Sequence, residues 1–173
     1  PLGSKNITAD IAHGVQTTLE QAEMLKCQYG IAKEALASPD EIITVKGLSD
    51  DEPRTITQKE LASFIEPRME EILMLAKSDI RKSDHPGVFT FGVKLTGGGA
   101  LLNNVVDLAN DIFHQPVKIG KPNLKGGISE NLNKPEYSTV VGLINYAITH
   151  FNDQVDQNEK FGIKNIFSKI KDI

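Results

Sequence analysis

Two stretches of this chain carry residue types in an order that can do chemistry. The first is Leu95-Thr96-Gly97-Gly98-Gly99-Ala100, a glycine run between a strand-like segment and a helix-like one. Residues without side chains let backbone amides approach phosphate oxygens, and the amino end of a following helix favours anions. No Lys-Ser/Thr pair and no spaced third glycine follows, so the run is neither a Walker loop nor a GxGxxG fingerprint. Read alone, it leaves a tight structural turn and a nucleotide contact both open. The second stretch is the tail, 161–173. Wound as a helix, it gathers Ile163, Ile166, Phe167, Ile170 and Ile173 into an arc of about 120°. Lys160, Lys164 and Lys171 cluster beside that arc, while Lys169 and Asp172 stand away from it. Such a basic amphipathic helix suits the headgroup plane of an anionic membrane and is too short to span one. Its alternative is to dock on its own domain.

Conventional active sites fail on inspection. The four histidines, His13, His85, His114 and His150, are far apart and form no i,i+4 pair, which argues against a histidine metal site. The single cysteine, Cys27, reads as a small core residue on a helix, and it excludes an internal disulfide and a cysteine zinc cluster. No G-x-S-x-G elbow exists. Asp50-Asp51-Glu52 lacks ligand spacing and reads as a solvated loop tip. Among 173 residues, 19 Lys and Arg stand against 23 Asp and Glu, a net charge of −4 that speaks against a nucleic-acid footprint. With 39% apolar and 24% charged residues the chain reads as globular. No apolar run approaches the roughly 20 residues of a membrane span, and no secretory signal is visible, so a reducing cytosolic compartment is expected.

Positioning the glycine run requires a mixed α/β scaffold. Pro1–Ser4 reads as a cleavage remnant of an expression vector. Thr17 and Glu20 have capping-box spacing and predict a helix to Tyr29-Gly30, with Leu19, Ala22, Met24 and Leu25 buried and Gly30 in the left-handed conformation. Ile42–Val45 and Arg54–Thr57 read as a hairpin around the polar loop 46–53. Thr57 and Glu60 repeat the capping box and open a helix to about Lys82, kinked or split at Pro67. Met69, Ile72, Leu73, Ala76 and Ile80 make its buried face. Val88–Thr96 reads as a strand, Ala100–Phe113 as a helix and Val117–Ile119 as a second strand, which predicts a mixed or parallel sheet with helices packed on it. Pro135–His150 is a helix with Tyr137, Val140, Val141, Ile144 and Ala147 on its apolar face. Residues 152–159 read as a flexible tether.

Taken together, these blocks resemble the second half of the FtsA family, bacterial cell-division proteins of the actin-like ATP-binding superfamily. The resemblance rests on ITADIAHGVQTTLEQAEMLKCQYG, FIEPRMEEIL, VKLTGGGALLNNVVDLANDIF and KPEYSTVVGLINYA, and on the terminal helix. It implies the second lobe of an actin-like fold. Residues 5–30 and 88–150 would form an incomplete inner subdomain, 31–87 an inserted outer one, 151–160 a linker and 161–173 a membrane-targeting helix. Gly97, Gly98 and Gly99 would approach the phosphate and adenosine of ATP, held with magnesium in the full-length protein. Glu23 and Lys26 would contact the ribose and base edge, and their spacing puts both on one helix face. The first lobe and its Asp-x-Gly phosphate loops have no counterpart in this sequence, so the fragment is expected to bind ATP weakly and not to hydrolyse it. The inner sheet would lack its first strands, leaving an edge for a second chain.

The resemblance also implies that the outer subdomain receives the C-terminal peptide of FtsZ. Arg68 would fork onto a carboxylate of that peptide, with Glu70, Glu71 and Lys77 nearby. The bland alternative for Arg68 is an intrahelical pair with Glu71. The expected role is an adaptor between FtsZ filaments and the inner face of the cell membrane at the division site. The alternatives are an actin-like ATPase fragment of another filament or chaperone-type protein, and a purely structural, self-associating filament piece.

Overall fold

The computed structural model describes residues 2–47, 53–83, 91–123 and 130–155. Helix α1 (Ser4–Gly14) buries Ile7 and Ile11, one turn apart on a single stripe. Helix α2 (Leu19–Tyr29) follows and packs against α1. Its N-cap is Thr18, whose hydroxyl accepts from Gln21 N–H at 3.3 Å. Thr17, the predicted cap, is buried instead and donates to the Lys46 carbonyl at 2.5 Å. A hydroxyl satisfies whichever partner the tertiary fold brings to it, and here the turn after β1 outcompetes the orphan helix amide.

Strands β1 (Ile42–Val45) and β2 (Arg54–Thr57) pair antiparallel, with Ile43 opposite Ile56. The loop tip Asp50-Asp51-Glu52 lies outside the described residues. Helix α3 (Gln58–Lys82) then runs through Pro67 as one continuous helix. Its start is the predicted capping box: Glu60 N–H donates to the Thr57 hydroxyl at 3.0 Å and Thr57 N–H to the Glu60 carboxylate at 2.6 Å. Leu61, Ile65, Met69 and Leu73 form its buried stripe, Ile72 and Ile80 are half-buried, and Ala76 is exposed, contrary to expectation.

The glycine region is shorter and more broken than the sequence suggests. Strand β3 covers only Val93–Leu95, with Phe91 exposed in a turn before it, and residues 88–90 are outside the described set. A 3-10 turn (Gly98–Leu101) follows. Helix α4 starts only at Val105 and ends at Phe113, because Asn104 takes a left-handed conformation between the two. Strand β4 (Val117–Ile119) pairs parallel with β3. A further 3-10 turn (Pro135–Tyr137) leads into helix α5 (Ser138–Val155), so the expected tether begins as helix over 152–155. Of the apolar face predicted for 135–150, Val141 is buried, whereas Val140 and Ile144 are exposed.

The larger of two apolar clusters runs through most of the described elements. It joins Ile7 and Ile11 of α1, Leu25 of α2, Ile43 and Val45 of β1, Ile65 and Leu73 of α3, and Leu108 and Ile112 of α4. At about 25 cal/mol per Å² of apolar surface, this shared burial is what fixes α1, α2 and α4 around α3. The tail residues expected to meet a membrane, from Ile163 to Ile173, lie outside the described residues. Among those described, no helix is long and apolar enough to cross a membrane.

Candidate functional site

A cavity of about 350 Å³ opens where α2, the glycine turn and the turn before α5 meet. Glu23, Lys26, Gly98 and Gly99 all line it, with Glu136 beside them and Leu102 on its apolar wall. Residues some seventy positions apart are thus brought together. Gly97 does not line the cavity.

The backbone explains the meeting. The chain leaving α2 pairs with the chain leaving the glycine turn: Ile31 and Asn103 form a parallel bridge, and Ala32 N–H donates to the Asn103 carbonyl at 2.9 Å. Gly30 makes that approach possible, since a Cβ there would stand 2.3 Å from the Lys26 carbonyl and 2.9 Å from Leu102 Cδ1. Its φ of −64° is ordinary, so Gly30 serves close packing and not the expected left-handed cap. Gly97, by contrast, has φ of 88°, a region L side chains avoid, and its N–H donates to the Pro135 carbonyl at 3.0 Å. Thr96 adds its hydroxyl, 2.5 Å from that of Ser138. The glycine turn is therefore anchored to the turn before α5. A Cβ on Gly98 would meet nothing within 4 Å, so no packing among the described residues explains that glycine.

Glu23 and Lys26 differ in what they can offer a ligand. Lys26 is only 7% exposed. Its ammonium donates to the Ser4 carbonyl at 3.2 Å, the Thr8 hydroxyl at 2.8 Å and the Glu23 carboxylate at 2.6 Å. An ammonium has three N–H donors, and all are engaged within the chain. Lys26 therefore orients Glu23 while lining the same cavity. The Glu23 carboxylate is half exposed and faces the cavity. Burial alone raises its pKa, but the bonds from Lys26 and Thr8 and the charge of Lys26 outweigh that and hold it below the ordinary value. Cys27 is exposed at the cavity wall and not in the core, with its Sγ 3.5 Å from Glu23 Oε1. Desolvation and the Glu23 carboxylate push its thiol pKa up, which suppresses the nucleophilic thiolate. Leu19 and Met24, expected in the buried stripe, are exposed at 59% and 55%.

The residues proposed for partner binding are split between two faces of α3. Arg68 forks onto Asp10 of α1, Nε to Oδ2 at 2.5 Å and Nη2 to Oδ1 at 3.0 Å, and also bonds Glu71. The Asp10 bonds raise the guanidinium pKa further, so it is charged at every accessible pH. The Glu71 pair was anticipated; Asp10, distant in sequence, gave no local signal. Glu70 and Lys77 instead line a second cavity of about 530 Å³ between α3 and α4, with Met74, Arg81 and His114. Lys77 donates there to the Ile112 carbonyl. Glu66 of the Ile65-Glu66-Pro67-Arg68 segment accepts from Glu34 N–H at 2.5 Å and secures the turn after α2. Among the described residues, no group of His, Cys, Asp and Glu could hold a metal ion.

A family model described as cell division protein FtsA matches residues 1–142. The chain belongs to the FtsA family. Its curated relatives include the FtsA of Bacillus subtilis, 40% identical over 95% of this chain and 35% of that protein. The FtsA of Pseudomonas aeruginosa is 35% identical over 88% of this chain and 37% of that protein. The chain thus spans a little over a third of the length of these FtsA relatives. Among solved structures, MreB5 of Spiroplasma citri bound to ADP aligns with a TM-score of 0.67 at 17% identity, covering 91% of this chain and 47% of MreB5. The same protein bound to AMPPNP aligns at 0.66. The fold is a mixed helix and strand arrangement of the actin-like kind.

Proposed function

We propose that this chain is the adaptor part of a cell-division protein: it grips the C-terminal peptide of FtsZ through the α3 region, while its Lys-rich tail holds an anionic membrane surface. In the full-length protein, nucleotide in the first cavity would control that role. The observation that carries the reading is FtsA family membership over residues 1–142. The cavity adds to it, because a carboxylate for ribose hydroxyls, a glycine with open space before it and an apolar wall suit a nucleoside. The MreB5 neighbour was solved with ADP and with AMPPNP. Magnesium would come with the triphosphate, and the described residues offer it no ligand cluster. The chain by itself binds nucleotide weakly and does not hydrolyse it.

The deciding experiment is fluorescence anisotropy of an FtsZ C-terminal peptide titrated with the chain at moderate salt, beside Arg68→Glu and Asp10→Asn variants checked for folding. Micromolar binding, lost in Arg68→Glu and kept or tightened in Asp10→Asn, supports the adaptor. No binding by the folded wild type refutes the peptide arm. Flotation on anionic vesicles tests the membrane arm, since Asp in place of Ile166, Phe167 and Ile170 must abolish it.

A further inference from the structure

The outer face of the β3–β4 sheet carries charge that nothing in the described chain answers. Lys94 and Lys118 are register partners in this parallel pair, so their side chains stand beside each other on one face. The opposite face is the packed one: Val117 is buried in the larger apolar cluster, and Val93 and Leu95 lie against it. Lys94 and Lys118 are both exposed. Two more exposed lysines stand at the carboxyl end of the sheet. Lys121 follows Gly120 and Lys134 precedes Pro135, and the Thr96 hydroxyl lies within hydrogen-bond distance of both the Gly120 and Pro135 carbonyls, at 3.1 and 3.3 Å. None of the four lysines has an ion-pair or hydrogen-bond partner among the described residues. Carboxylates of neighbouring segments are engaged elsewhere: Asp107 accepts from Asn104, Asp111 pairs with Lys33, and Glu136 lines the first cavity. Like charges side by side on adjacent strands repel, so Lys94 beside Lys118 costs stability unless an anion lies over that face. The patch is opposite in sign to the chain's net charge of −4.

An aromatic ring marks the amino end of the same sheet. Phe91 is 98% exposed. The turn that carries it is fixed, because Val93 N–H donates to the Pro116 carbonyl at 2.9 Å. Gly92, at φ of 75°, packs so closely on that carbonyl that a side chain there would collide with it. The turn therefore holds the ring out in water, with no described residue covering it. A soluble anion would answer the lysines and leave the ring in water. A bilayer takes both, the ring at the acyl boundary and the ammonium groups among headgroup phosphates. The basic amphipathic tail expected to seek the same kind of surface belongs to the same chain.

We propose that the outer β3–β4 face is a second membrane contact of this chain, with Lys94, Lys118, Lys121 and Lys134 against anionic headgroups and Phe91 at the interface. The inference rests on the membrane arm of the reading given above. It adds that the folded body meets the bilayer in one orientation and does not swing freely from the tail. The face is weak by itself and acts by avidity, because the tail brings it to a surface where each further contact is intramolecular.

The chain contains no tryptophan, so Phe91→Trp places a single fluorescent reporter at the tip of the patch. Its emission is read on vesicles of phosphatidylcholine and phosphatidylglycerol, while sedimentation of the same samples reports binding of the whole chain. The emission is expected to shift to the blue on these vesicles and not on phosphatidylcholine alone. Lys94→Gln with Lys118→Gln should lower vesicle affinity about 25-fold, at about fivefold per lysine near an anionic surface. Without vesicles that double variant should melt no lower than wild type, since it removes a repulsion. Sedimentation without a blue shift, or with the affinity of the double variant unchanged, means that the tail alone makes the contact. Either result overturns the inference and leaves the tail reading standing. A lower melting temperature of the double variant also overturns it, because the lysines would then be answered within the chain. A blue shift produced by soluble poly-glutamate without lipid assigns the face to an acidic protein and overturns it too. Absence of sedimentation overturns the membrane arm, and this inference with it.

Discussion

Removing Glu23 should destabilise this chain more than removing Lys26, although the two form one ion pair. The Lys26 side chain is 8% exposed, whereas that of Glu23 is 50% exposed. Glu23→Ala leaves a buried ammonium with two neutral acceptors, the Ser4 carbonyl and the Thr8 hydroxyl. Stranding a buried charge costs about 3–5 kcal/mol, and losing one charged hydrogen bond about 1.5–3 kcal/mol. Because water already reaches the Glu23 side of the pair and two acceptors persist, the lower range applies, about 2 kcal/mol. Lys26→Met removes the charge together with its need for partners. The thioether fills most of the lysine stem's volume, and Glu23 turns to the solvent it already touches, so the cost stays below about 1 kcal/mol. Urea unfolding followed by circular dichroism separates the two. With a slope of about 2 kcal/mol per molar urea, Glu23→Ala lowers the midpoint by about 1 M and Lys26→Met by less than half of that. The double variant should resemble Lys26→Met alone. A Lys26→Met midpoint as low as that of Glu23→Ala refutes the reasoning, because it would mean that the ammonium is itself a net source of stability.

The depressed pKa of Glu23 predicts a pH dependence of defined sign: its contribution is present above the unfolded carboxylate pKa and is lost as pH falls through the lower folded value. Acid titration of the urea midpoint should therefore be steeper for wild type than for Glu23→Gln, and parallel curves would count against the Lys26 and Thr8 bonds. Millimolar ATP should raise the melting temperature by no more than about 2 °C, since a ligand at its own dissociation constant adds only about 0.4 kcal/mol. A shift of several degrees, read by differential scanning fluorimetry, contradicts the weak-binding expectation.

The sequence made the long elements legible and the joints illegible. The capping box of Thr57 and Glu60 is local chemistry, so its reading survived intact in α3. The same spacing at Thr17 and Glu20 misled, because Thr17 met the Lys46 carbonyl, a partner set by tertiary packing. The cavity was half legible. The family resemblance, not the residue pattern alone, assigns the glycine run and the Glu23–Lys26 pair to one site, and the fold puts Glu23, Lys26, Gly98 and Gly99 around one cavity. What periodicity could not show is that Lys26 is buried on α2 beside Ala22 and Leu25 while Leu19 and Met24 face outward. An amphipathic stripe assigns burial by hydrophobicity, whereas a lysine with three acceptors around it can be buried at little cost. Thr8, which bonds Glu23 and Lys26, and Glu136, which lines the cavity, carry no pattern at all.

The placement of Arg68 changes what its substitution can mean. In the sequence it reads as a free cation on a helix, awaiting an acidic peptide. In the fold it stands between two carboxylates, forked onto Asp10 and bonded to Glu71, so the trio carries a net charge of −1. An incoming carboxylate meets a local field that opposes it, and it gains Arg68 only by displacing one of these anions. Glu71, on the same helix, forms the i,i+3 pair. Asp10, on α1, forms the bidentate bond that also ties α1 to α3. Loss of peptide binding in Arg68→Glu therefore has two possible sources, a missing contact or a loosened α1. Asp10→Asn separates them: it weakens the tie between α1 and α3 while leaving the guanidinium charged and less neutralised. If Arg68 touches the peptide, Asp10→Asn binds at least as tightly as wild type. If Arg68 acts only by holding α1, both variants lose affinity together, and the contact belongs to the cavity of Glu70, Lys77 and Arg81 on the other face of α3.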